Sequence, residues 1–496
     1  MKDKILVWIN PSLVHYGLCK SLQEKFDCKL YAIYDITDKP KKYFEIQKIV
    51  KFEKSWFYND LVSLKHSTPD IQFLKQFEEK YNLDLWLLAR NDRIFNAFNH
   101  FYNFTEDEIL SIMEQECRSF EKILDSTNPN YVIFYHPSQQ QDYLFYLICK
   151  AKGIKTLVLR TTRVGKKFII SDSYQNIGFN MINSNVDSDK FSDSILDYHK
   201  KFDPQKVTME FRNRFLNSNS NMISALIKYI FSENTNVDTH YAYFGRTKLK
   251  VLLKYFKYAI QTKIRKNFID KNLIKEIDQK KSFIYFPLHM EQEHSTLIDA
   301  PFDTDQLQVV KQIVKSLPVG INLYVKEHPS MKSRNWRSIL TYKELMKLPN
   351  VTVLHPSVNA NIILENCSLV IVITGTAAFD AGFYGKPAIT LVETEFSDLE
   401  HISVLKKNSE LPGLIKNCLK KNFNPKSMQG YIQYVEKNGI LIDMNSLQQD
   451  IQDVINYGGY LVDVEINEDK FKTVIESKKK EFDLLADAHI KKIVNK

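Results

Sequence analysis

The stretch Leu369–Leu391, LVIVITGTAAFDAGFYGKPAITL, decides the fold. Its β-branched run Leu369-Val370-Ile371-Val372-Ile373 suits a strand buried on both faces, as in a parallel sheet. The run breaks at Thr374-Gly375-Thr376. A helix is expected over 377–384, ended by Gly385, and Pro387 leads into a second apolar run. Strand, tight turn, helix and strand make one βαβ unit. A helix N-terminus at a Gly/Thr turn offers backbone N–H groups and partial positive charge, which suits a phosphate; the turn also suits an ordinary strand-to-helix connection.

About forty residues upstream, Leu323-Tyr324-Val325-Lys326-Glu327-His328-Pro329 is a second strand running into a charged turn. Pro329 stops the strand and biases His328 toward extended backbone. Lys326 and His328 lie two apart, so in an extended run they point the same way. Parallel strands that both end in polar turns bring those turns together at the carboxyl edge of the sheet, where open α/β sheets bind ligands. A lysine, a histidine and a helix N-terminus converging there suit a diphosphate or phosphodiester. A third element precedes both. Phe283-Ile284-Tyr285-Phe286 forms a strand, Pro287 breaks it, and His289, Glu291, Glu293 and His294 follow within eight residues. These groups suit sugar hydroxyls, acid–base work or a metal, and equally a solvated polar loop. Zinc is disfavoured: His289 and His294 are five apart, with no thiolate or second cluster beside them.

Together, FPLHMEQEHST, LYVKEHPS and VIVITGTAAFDAGFYGKPAITL resemble the bacterial and archaeal capsule-polysaccharide biosynthesis proteins. Those are GT-B glycosyltransferases related to Kdo transferases and, more distantly, to other sugar transferases with a His-Pro motif. The resemblance covers residues 283–391 well. It extends weakly to Pro129-Asn130-Tyr131-Val132-Ile133 and to 159–165. It implies two Rossmann-like domains flanking a central cleft, and transfer of a sugar from a nucleotide donor to a surface glycan. It implies that His328 and the 374–376 turn contact the nucleotide phosphates; with Lys326 from the strand end, the expected nucleotide-binding set is Lys326, His328, Pro329, Thr374, Gly375, Thr376 and Asp380. Asp380 stands where many relatives carry a ribose-binding Glu. Glu291-Gln292-Glu293 departs from the family's Gln-Pro-Glu, so the sugar is not inherited from the resemblance. His289, Glu291 and Glu293 are the acid–base candidates beside the donor. His15 and His136, each following a strand, are candidates from the first domain.

The remaining features fit a two-domain α/β enzyme. A chain of 496 residues exceeds one core. Residues 1–170 are expected as an N-terminal Rossmann-like acceptor domain and 171–281 as a linker with a basic helical segment. Residues 282–430 are expected as the nucleotide-sugar-binding domain, and 431–496 as a helical tail that crosses back to the first domain. Helices are expected over 17–26, 106–127 and 140–152. Six scattered cysteines without a CxxC pair read as reduced thiols of a cytoplasmic protein. No leader or bilayer-spanning run is evident. Asp303-Thr304-Asp305 and Asp187-Ser188-Asp189 match the metal-binding DxD pattern. The first precedes a helix-like run and reads as an N-cap, and the second falls in the Asn/Ser-rich linker, so no metal site and no cofactor are expected.

Charge is concentrated in one place. Between Arg246 and Lys275 stand ten Lys or Arg against one acid, Asp270, a surplus equal to the +9 of the whole chain. Leu, Ile, Phe and Tyr interleave with these charges. The segment suits an anionic membrane surface or a solvated interdomain helix; no accompanying nucleic-acid module is visible. The leading expectation is a metal-independent glycosyltransferase that takes a nucleotide-sugar donor and a glycan or lipid-linked glycan acceptor, cytoplasmic and peripheral on the inner membrane face. A nucleotide-sugar 2-epimerase, a glycerophosphotransferase and a non-catalytic assembly or export partner remain as alternatives.

Overall fold

A computed structural model describes residues 2–62, 68–97, 100–179, 219–291, 293–456 and 463–495. Asp187–Asp189 and the rest of residues 180–218 of the expected linker lie outside them. The described residues of 1–177, 202–248 and 438–496 form one compact unit, and those of 178–201 and 249–437 a second.

The first unit is built on β1 (Asp3–Ile9), β2 (Cys28–Tyr34), β3 (Lys54–Phe57), β4 (Tyr131–Phe134), β5 (Lys155–Thr161) and β6 (Lys167–Ser171). The second carries β7 (Phe283–Pro287), β8 (Asn322–Lys326), β9 (Val351–Leu354), β10 (Leu369–Val372), β11 (Ala388–Thr390) and β12 (Ile402–Val404). A last short strand, β13 (Ile440–Leu441), returns to the first sheet.

The first sheet has the order β13-β6-β5-β4-β1-β2-β3. It is parallel from β3 to β5, and β6 runs antiparallel to both neighbours. The second has the order β12-β11-β10-β7-β8-β9, parallel throughout. Numbered within its own unit, that is 3-2-1-4-5-6 read from β9, the doubly wound Rossmann order. The α/β class of two Rossmann-like sheets is as expected.

Local sequence explains the elements. β10 is buried at all four positions, as a strand covered on both faces must be. Helix Glu106–Thr127 opens on a capping box, Thr105 with Glu108, and closes on Asn128 in the left-handed region. Asp305 accepts hydrogen bonds from the Leu307 and Gln308 amides and so caps helix Gln306–Ser316. The helix after β10 spans Ala377–Phe383, and Gly385 follows at φ 65°.

Two expectations in the first unit are corrected. The first helix begins at Val14 rather than after Gly17, because Leu13 at φ 56° turns the chain without any polar cap. Gly17 therefore lies inside the helix, where an added Cβ would sit 2.2 Å from Phe482 Cζ. The glycine lets helix Lys479–Val494 close onto helix Val14–Lys25. Phe482, Leu485 and Ile493 thereby join the core of the first sheet, and Phe471 and Ile475 of helix Glu468–Ser477 pack into the same core. Neither β6 nor the two-residue edge strand β13 was expected from the sequence. All six cysteines are free thiols. Among the described residues no helix is long and apolar enough to cross a membrane.

Candidate nucleotide site at the carboxyl edge of the second sheet

In the Rossmann order the chain switches direction between the first and fourth strands of the sheet, and ligands bind outside their carboxyl ends. Here those strands are β7 and β10, and one contact spans the switch point. His289, two residues past β7, accepts a hydrogen bond at Nε2 from the Thr374 amide, two residues past β10, at 3.2 Å. The His289 backbone is held on both sides. Its N–H donates to Gln306 Oε1 at 2.7 Å, and its carbonyl accepts from Gln306 Nε2 at 3.2 Å and from Arg337 Nη2. Gly375 admits the ring: a Cβ there would stand 3.1 Å from Nε2.

Burial, then the nearby His328 and Arg337, push the His289 imidazole down to about 3, so the ring is neutral at ordinary pH. With Nε2 accepting, its proton sits on Nδ1. That buried donor has no hydrogen-bond partner among the described residues.

β8 supplies the cation. Lys326 is its last residue, 3% exposed, and burial lowers its ammonium to about 8 against the opposing pull of Glu327. No hydrogen bond or ion pair to its Nζ is present among the described residues. Glu327 points away into the protein. One carboxylate oxygen accepts from the His328 amide at 2.7 Å, and the other from Arg337 Nε at 2.9 Å and the Tyr342 hydroxyl at 2.7 Å. His328 Nδ1 accepts from the Ser330 amide at 3.1 Å, and Pro329 starts the 3-10 segment Pro329–Arg334.

The expected site residues fall as follows. His289, Lys326, His328, Pro329, Thr374, Gly375 and Thr376 stand at or just past the carboxyl ends of β7, β8 and β10. Thr374 Oγ1 donates to the Ser295 carbonyl at 3.1 Å, which ties the Gly/Thr turn to the single helical turn His294–Leu297. Asp380 lies within helix Ala377–Phe383, its amide bonded to the Thr376 carbonyl. Of the three acid–base candidates, His289 holds the turn and Glu291 is ion-paired to Arg337. Glu293 precedes the turn His294–Leu297, which its carbonyl caps.

In the first unit, His15 is corrected as a candidate. It lies in a helix rather than a loop, is 1% exposed, and burial drives it to about 3. His136 follows β4 and meets Arg160 Nη1 at 2.7 Å.

Sequence reasoning missed Arg337, Glu327 and Gln306. Arg337 is 3% exposed and joins Glu327, Glu291 and the His289 carbonyl, three points on two loops. It follows Asn335 and Trp336, both at positive φ (67° and 53°), and Arg265 donates to both of their carbonyls. The sequence signal for this knot was the Glu buried between two basic residues of KEHP, which demands a cation elsewhere in the chain.

Residues 175–398 match the family model for capsule polysaccharide biosynthesis protein. This is the family the three motifs resemble, and the matched segment contains all three. No match was found among curated proteins. Among solved structures, a UDP-GlcNAc 2-epimerase from Methanocaldococcus jannaschii is 12% identical over 88% of this chain and 100% of that one, with a TM-score of 0.24. The KpsC β-Kdo 2,7-transferase of Thermosulfurimonas dismutans is 12% identical over 63% and 80%, with a TM-score of 0.29. At these scores neither likeness carries an activity or a substrate across to this chain.

Proposed function

We propose that the protein is a glycosyltransferase of capsule-type polysaccharide synthesis that moves a sugar from a nucleotide-sugar donor onto a glycan or lipid-linked glycan at the inner face of the membrane. The family match supports the pathway class. One observation supports the donor site: the buried residue Lys326, with no acceptor on Nζ at the end of β8, and the buried His289 Nδ1, without a partner just past β7, both at the carboxyl edge of the second sheet. Burying a cation without a counter-charge is costly, and a nucleotide phosphate offers the missing anion.

In this reading the donor is a substrate and no further cofactor takes part. Cleavage at the anomeric carbon leaves new negative charge on the nucleotide phosphate. Lys326, His328 and the amides of Gly375 and Thr376 meet that charge, and loss of one such fixed donor costs roughly 3 kcal/mol of barrier lowering. No divalent ion is needed for this step. His289, Glu291 and Glu293 are the acid–base candidates beside the donor; Glu291 is ion-paired to Arg337, and His289 accepts from the Thr374 amide.

Thermal unfolding with CMP, UDP, GDP and CDP, for the wild type and His328→Ala, tests the reading. A nucleotide at about 100 times its dissociation constant adds roughly 2.7 kcal/mol of stability. One nucleotide is expected to stabilise the wild type and not the variant, and to do so equally in EDTA. A folded wild type that responds to none of the four overturns the transferase reading.

A further inference from the structure

The helix Lys248–Asn272 has a face that the donor site does not use. Its inward side is fixed to the second unit. Thr262 and Gln261 bond the Asn335 side chain at 2.7 and 3.0 Å, Arg265 bonds the Asn335 and Trp336 carbonyls, Phe268 stacks on Tyr342, and Ile269 is buried. At about 100° per residue, the far side of the helix carries Leu249, Leu253, Phe256, Ile260 and Ile264 in one line. These five are 68, 59, 69, 48 and 55% exposed. Exposed Lys250 and Lys257 border the line on one side and Lys263 on the other. A rise of 1.5 Å per residue makes the line about 22 Å long.

We infer that this face docks the protein on an anionic lipid bilayer, the apolar line entering the acyl boundary and the bordering lysines meeting lipid phosphates. The charge decides the occupant. The helix holds eight Lys or Arg and one acid, Asp270. A second copy would bring like charge against like, whereas anionic headgroups neutralise it. Nucleic acid would use the cations but leave five large apolar side chains in water, which is the cost that bilayer insertion removes. The inference does not rest on the transferase reading.

Co-sedimentation of the full chain with vesicles tests it, using phosphatidylcholine alone and phosphatidylcholine mixed with phosphatidylglycerol. Binding is expected only to the mixed vesicles, weakening with salt. Each of Lys250→Gln, Lys257→Gln and Lys263→Gln is expected to lower partitioning about fivefold. The pair Leu253→Glu and Phe256→Glu is expected to abolish it at any salt concentration, with circular dichroism and nucleotide response unchanged. Absence of binding to the mixed vesicles overturns the inference, as does wild-type sedimentation of the Leu253→Glu, Phe256→Glu protein. So does a dimer, seen by light scattering and lost in that variant, in a protein that ignores lipid. Tight binding of a single-stranded oligonucleotide without lipid binding overturns it in favour of nucleic acid.

Discussion

Lys326 works against the stability of its own strand. Its ammonium titrates at about 8 in the folded protein against 10.5 for the free side chain. Between those values the unfolded chain holds a proton that the folded chain lacks, so stability rises with pH across that window. Below about 8 the whole penalty is present. At about 1.4 kcal/mol per unit it comes to about 3 kcal/mol, and at 3% exposure solvent does little to screen it. A residue kept at that cost has another use. Lys326→Met, similar in length and uncharged, is expected to gain about 3 kcal/mol at pH 7 in chemical denaturation. It should also flatten the rise between pH 8 and 10.5 and lose nucleotide stabilisation. A variant less stable than wild type would show that the ammonium has a structural partner, and would remove the main support for the donor site.

The elements around the site differ in how openly the sequence displayed them. The unit from β10 to β11 was legible because its apolar run, Gly375, Gly385 and Pro387 all act within a few residues of one another. The knot around Arg337 was not, because Glu291 lies 46 residues and Glu327 ten residues away, and no local pattern pairs them. Glu291 looked chemical because it stands beside His289, yet its partner comes from another loop. The early start of the first helix was hidden for a related reason: Leu13 is a left-handed cap without a polar side chain. Glycines show the same division. Gly382 lies in helix Ala377–Phe383, where a Cβ would meet His401 Cε1 at 2.5 Å and Met428 Sδ at 2.6 Å. His401 in turn donates from Nε2 to the Ala378 carbonyl at 2.9 Å. Gly413, in helix Leu411–Cys418, has nothing within 4 Å. Gly382→Ala is expected to cost about 1–3 kcal/mol through overpacking, and Gly413→Ala to gain about 0.5–1 kcal/mol through helix propensity. Urea titrations of the two variants distinguish these effects; equal shifts of the same sign would refute the packing at His401.

Acid should affect the two units differently, because the first unit holds strongly raised buried carboxyls beside its buried histidines. In the second unit burial lowers His289 to about 3 and His401 to about 4. Their unfolded forms take up protons near 6.5 while the folded forms do not, so the second unit loses stability as pH falls below 6.5. At pH 5.5 the loss is about 1.4 kcal/mol per histidine, or about 3 kcal/mol in all. The first unit carries the same liability in His15, at about 3, and His489, at about 4. It also holds carboxyls that burial raises: Asp35 to about 6, Glu116 to about 7 and Asp142 to about 8. A raised carboxyl binds its proton in the folded state first, so its contribution grows as pH falls from 8 toward 5 and offsets the histidines. Glu116 is also bonded to Tyr58 and to Gln140, at 2.7 Å to the latter, so protonation leaves it in a filled site rather than an empty one. Calorimetry between pH 7.5 and 5.5 is therefore expected to resolve two transitions that move apart, the second unit's falling while the first unit's holds or rises. His401→Gln should reduce the acid slope of the falling transition alone. Two transitions that fall together would mean that the carboxyls of the first unit titrate in the ordinary range, and that its buried network is held by hydrogen bonds to ionised groups instead.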